Sequence, residues 1–70
     1  MGKFIWSDVD ESYHNSDYIE KILTTKQGKY WYIVGVCSED SEKDQITFFH
    51  SESWEQMQSR LHEILEEING

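Results

Sequence analysis

Proline is absent from this chain, and cysteine occurs once, at Cys37. A lone cysteine excludes an internal disulfide and points to a reducing compartment, so the expected location is cytoplasmic. It sits in the most apolar stretch of the sequence, where a small core residue is expected rather than a reactive thiol. No apolar run approaches the length of a membrane span, and no signal-peptide core is expected at the N-terminus. Glycine is sparse and forms no phosphate-binding loop. Basic residues are scarce too: six against fourteen acids among 70 residues, a net charge of −8. A surface this acidic repels nucleic acid and anionic membrane, which are bound through Lys and Arg, so direct contact with either is disfavoured.

Seventy residues make one small domain, 1–70. A chain of this size buries only about 60% of its unfolded surface, so stability is marginal unless something helps. The charge is unevenly placed. Residues 1–20 carry five acids against Lys3, residues 38–70 carry nine against Lys43 and Arg60, and residues 21–37 carry three lysines and no acid.

The acid-free stretch ends in Tyr30-Trp31-Tyr32-Ile33-Val34-Gly35-Val36-Cys37, uncharged and rich in aromatic and β-branched residues. Such side chains suit a pleated, buried surface, and the run predicts a central strand. One face would carry Tyr30, Tyr32, Val34 and Val36, the other Trp31, Ile33, Gly35 and Cys37. A central strand needs two neighbours. Residues 45–50 (Gln45-Ile46-Thr47-Phe48-Phe49-His50) alternate imperfectly and supply one. Residues 18–27 supply the other, joined through the turn Lys26-Gln27-Gly28-Lys29. That segment also has helical features, with Ser16 as a potential N-cap and Gly28 as a C-terminal stop. The strand reading is preferred; the alternative is an α-β-β-α chain with residues 17–27 helical.

The last element is the best marked. Ser53 and Gln56 form a capping-box pair, with Ser51 as an alternative cap. Trp54, Met57, Leu61, Ile64, Leu65 and Ile68 follow on one stripe, predicting a helix over 52–68 that Asn69-Gly70 terminates. The expected fold is therefore α+β: a three-stranded antiparallel sheet, order 1-2-3, with a C-terminal helix on one face. Residues 1–17 are expected to be irregular and 18–50 to form a β-meander. Residues 1–7 are apolar enough to add a short edge strand, and 8–17 read as an acidic loop.

Motifs for chemistry are thin. Asp8-x-Asp10 begins like a calcium loop, but Tyr13 and Ile19 stand where glycine and glutamate are required. His14, His50 and His62 fit no zinc spacing, and no Ser or Cys is placed beside a base by the sequence. No metal, no cofactor and no enzymatic activity are expected.

Two features point to binding instead. Glu52, Glu55, Glu63, Glu66 and Glu67 lie opposite the apolar stripe, and Glu39, Asp40, Glu42 and Asp44 form an acidic loop. Carboxylates spread over a rigid helix at about 1.5 Å per residue match the scale of phosphates flanking a major groove about 12 Å wide. Such a surface is expected to engage a basic, nucleic-acid-binding protein, as DNA mimics and phage or mobile-element inhibitors do; that comparison is one of class only. The second feature is surplus apolar surface. One helix cannot cover both faces of the central strand, and Trp6, Trp31, Phe48 and Phe49 add bulk that it cannot hide. Either Phe4-Ile5-Trp6 crosses the open face, or a partner does, with a homodimer or a larger complex as the alternative function.

Overall fold

The computed structural model describes residues 3–69, in the order β1 Phe4–Ser7, β2 Ser12–Asn15, a 3-10 turn Ser16–Tyr18, β3 Ile19–Gln27, β4 Tyr30–Cys37, β5 Gln45–Ser51 and α1 Trp54–Asn69. The fold is α+β. Strands β3, β4 and β5 form an antiparallel meander in sequential order, and α1 returns along one face of it. The α-helical alternative for residues 17–27 fails: Asp17 and Tyr18 belong to the short 3-10 turn, β3 pairs with β4 from Ile19 to Gln27, and the tight turn at Gly28 (φ +62°) closes the hairpin. Glycine first in a two-residue turn is the II′ pattern, whose twist matches the flanking strands.

The N-terminal third corrects the expectation of an irregular segment. Residues 4–7 and 12–15 form a separate two-stranded hairpin, with Phe4 opposite Asn15 and Ser7 opposite Ser12. Ser12–Asn15 carries little strand propensity, and the partner supplies what composition lacks. The Glu11 amide donates to the Ser7 carbonyl at 2.8 Å, with Glu11 in the left-handed region (φ 54°), and the Ser16 amide donates to the Lys3 carbonyl at 2.7 Å. Nor does the hairpin close the open sheet face. It packs beside α1 and caps the β5 edge, where the Asp8 amide donates to Phe48 O at 2.9 Å and Ser7 Oγ donates to Thr47 O at 2.7 Å.

The core lies between the meander on one side and α1 with the hairpin on the other. Ile5, Ile33, Phe48, Met57 and Ile64 are fully buried, with Cys37 and Ile46 beside them. Gly35 faces this layer because Phe48 occupies the space a side chain would need. The imperfect alternation of β5 has a structural cause. Ile33 pairs with Phe49 but Val34 pairs with Thr47, so Phe48 is an extra residue in a β-bulge. Phe48 and Phe49 thereby both turn toward the helix, as does Ser51, which pairs with Trp31.

At the start of α1 the Gln56 amide donates to Ser53 Oγ at 3.2 Å, making Ser53 the N-cap. The two candidate caps cooperate: Ser51 Oγ accepts from the Ser53 amide and donates to Gln56 Oε1, each at 3.0 Å. The buried stripe is narrower than the sequence suggests. Met57 and Ile64 are buried and Leu61 and Ile68 half-buried, but Trp54 (52%) and Leu65 (37%) remain exposed on its flank. Gly70, the expected terminator, lies outside the described residues.

Candidate protein interaction surfaces

The acidic residues do not form one patch. Glu52 pairs with Lys29 at the β3–β4 turn (3.2 Å), and Glu63 pairs with Arg60 one turn earlier on α1 (3.1 Å). Glu55, Glu66 and Glu67, and the β4–β5 loop residues Glu39, Asp40, Glu42 and Asp44, make no ion pair among the described residues and are exposed. Two of the helix acids share a feature the sequence did not reveal. Glu55 and Glu63 line a shallow groove of about 420 Å³, together with Gln56, Ser59 and Arg60, and with Phe49 from β5. Phe49 reaches this groove because the bulge turns it toward the helix. Arg60 holds the groove in shape. Its side chain is 14% exposed, Nη2 donates to Trp6 O at 3.0 Å, and Nε lies 3.6 Å from Asp8.

Two of the loop acids, Asp40 and Glu42, line another cleft. Asp40, Ser41, Glu42 and Lys43 face His14 and Tyr18 across a space of about 360 Å³. His14 is held there by an edge-on contact with Phe48 (5.9 Å). Its Nε2 lies 3.0 Å from Asp10 Oδ2 and 3.3 Å from Ser12 Oγ. A nucleophile–base–carboxylate relay uses both ring nitrogens, one for each partner. Here serine and aspartate meet the same nitrogen, so the trio is a hydrogen-bond knot that shapes the hairpin. His50 and His62 lie apart, His50 on the open sheet face and His62 exposed on α1. Among the described residues no three His, Cys, Asp or Glu side chains are placed to hold a metal ion.

The apolar candidates are placed differently from the expectation. Trp31 and Phe49 pack against the core on the helix side, and Lys26 Nζ sits 5.3 Å over the Trp31 ring. Trp6 is half-buried on the outer face of the hairpin, edge-on to Tyr13 at 5.0 Å, with Nε1 donating to Asp8 Oδ1 at 2.9 Å. The uncovered sheet face is carried by Tyr30, Tyr32, Val34 and Val36, flanked by Lys21, Leu23 and Thr25 on β3 and by Thr47 and His50 on β5. Tyr30, Tyr32 and His50 form a ring cluster with centroids 5.6 to 6.5 Å apart, and Lys29 Nζ lies 5.6 Å over Tyr30. None of these face residues is acidic. The signal was present in the sequence as the acid-free run 21–37, but Leu23 and His50 could not be assigned to that face without the register.

Comparison with protein-family models, with curated proteins and with solved structures gives no match. Among the described residues no helix is long and apolar enough to cross a membrane.

Proposed function

We propose that this protein is a non-enzymatic, cytoplasmic binding protein whose acidic side engages a basic protein partner and blocks or regulates it. A nucleic-acid-binding partner, met by an acidic surface acting as a DNA mimic, is the form of this reading that best suits the charge. The observation supporting it is the groove beside α1. Its floor is Phe49 and its rims carry the Glu55 and Glu63 carboxylates. A lysine or arginine side chain suits that arrangement: its aliphatic stem covers an apolar surface while its charge meets carboxylate oxygens. Glu66, about one turn beyond Glu63 on α1, and the loop acids extend the negative field and speed encounter with a basic surface.

The test is a triple variant, Glu55→Gln, Glu63→Gln and Glu66→Gln, which keeps side-chain shape and removes charge. A partner captured from host lysate is purified and its affinity measured against salt. The wild type should lose affinity steeply between about 50 and 500 mM salt, and the triple variant should bind weakly at every salt concentration with its melting temperature unchanged or raised. Unaltered binding by the triple variant would sink this reading. The second reading, an interaction module working through an apolar sheet face, is favoured by the acid-free surface around Tyr32 and Val34; Tyr32→Ser separates the two.

A further inference from the structure

The two edges of the meander are treated differently. The β5 edge is capped by the hairpin through the bonds from Asp8 and Ser7 to Phe48 and Thr47. Among the described residues no strand pairs with the outer edge of β3, which runs for nine residues with no proline and a single irregularity between Ile19 and Lys21. A long regular edge presents unpaired amides and carbonyls, a template for another strand. In the two-residue hairpin Gln27 and Tyr30 form the hydrogen-bonded closing pair. Alternation then points the backbone groups of Leu23 and Thr25 toward β4, and those of Ile22, Thr24 and Lys26 outward.

Apolar side chains flank this edge above and below. On the open face Leu23 is 44% exposed. On the other face α1 lies over β4 and β5. Arg60 marks the flank of α1 that meets the hairpin, so the opposite flank, with exposed Trp54 and Leu65, looks toward β3.

The geometry points to a second copy of this chain as the occupant, joined antiparallel through β3 across a two-fold axis at Leu23. Leu23 is the midpoint of Ile19–Gln27, so this register overlaps the whole strand. It is also the register that matches charge. Glu20, the one acid in β3, comes level with Lys26 of the second copy, and Lys21 meets Thr25, so no like charges stand opposite. Outward groups of Ile22 and Thr24 pair with their counterparts, and the two Leu23 side chains meet at a non-hydrogen-bonded position. The product is a six-stranded sheet with both helices on one side. The two acid-free faces merge into a single surface on the other side. Each Leu23, Trp54 and Leu65 loses solvent contact. This dimer is independent of the acidic groove, which lies on the far side of α1.

The test begins with the mass of the wild-type protein in solution by light scattering at about 100 µM, where a dimer is expected. Leu23→Cys then probes the axis. Residues facing one another at a non-hydrogen-bonded position have Cα atoms about 4.5 Å apart, within the span of about 4.4 to 6.8 Å that a disulfide accepts. Mild oxidation should convert this variant to a covalent dimer. Thr25→Cys, whose copies would stand about 13 Å apart at about 3.3 Å per residue, should remain mostly uncrosslinked. Thr24→Pro removes an outward amide while sparing the β4 ladder, and should give a monomer with an unchanged far-ultraviolet spectrum. A monomeric wild type overturns the proposal, as does equal crosslinking of the two cysteine variants.

Discussion

Replacing Gly35 by alanine sets two opposing effects against each other. Glycine in a strand costs about 0.5 to 1 kcal/mol relative to alanine through backbone entropy. On that ground alone the substitution would stabilise β4. However, a Cβ at position 35 would stand 2.6 Å from Phe48 Cε2, 3.3 Å from Ile19 Cγ2 and 3.5 Å from Ile22 Cδ1. Carbon atoms in favourable contact are about 3.5 to 4.0 Å apart, so the ring must retreat by about 1 Å. Phe48 has no exposed surface and lies edge-on to His14, which leaves little room for retreat. Overpacking of this kind costs about 1 to 3 kcal/mol, and it outweighs the entropic gain. The expected net loss of about 1 to 2 kcal/mol is a large share of the roughly 4 to 10 kcal/mol available to a domain of this size. It corresponds to a melting temperature lower by about 5 to 15 °C, measurable by circular dichroism. Adding Phe48→Leu to Gly35→Ala should recover part of the loss, so that the pair couples by about 1 kcal/mol. An unchanged or higher melting temperature for Gly35→Ala, or strict additivity in the double variant, would refute the reasoning.

Two further substitutions probe how the hairpin is fastened. Ser7 is fully buried, donates to Thr47 O and accepts the Asp10 amide at 3.0 Å; Ser7→Ala should cost about 1 to 3 kcal/mol, read from the urea midpoint, and no shift would contradict that role. Arg60→Met keeps bulk in the groove but removes the bond to Trp6 O. Hydrogen exchange in β1 and β2 should then accelerate ahead of β4, and uniform acceleration across the protein would show that Arg60 does not hold the hairpin.

The elements that declared themselves in the sequence are those whose own residues suffice to specify them. Tyr30–Cys37 is a strand because every side chain in it suits a covered pleat, and α1 is a helix because cap, stripe and polar face agree. Ser12–Asn15 was not legible because its strand character comes from β1, through bonds such as Ser16 to Lys3. The candidate surfaces were legible in charge and not in place. Glu55 and Glu63 were on view as an exposed helix face, but their meeting with Phe49 depends on a bulge that no local pattern announces. Trp31 was on view as bulk, but nothing in the local sequence places Lys26 over its ring.

The bulge in β5 also bears on the helix that follows. A strand has a period of two, but the side a residue takes is that of its partner across the ladder. Ser51 pairs with Trp31 and so faces the helix, where it receives the Ser53 amide and binds Gln56. Deleting Phe48 or Phe49 would remove the bulge and leave six residues of β5 against six of β4, so Ser51 would still stand opposite Trp31 and keep its hold on α1. The loss would fall on the core, which would be short of one ring. The angular setting of α1 is thus stored in the pairing of β5 with β4, and the bulge lets the strand carry one more core side chain without changing it.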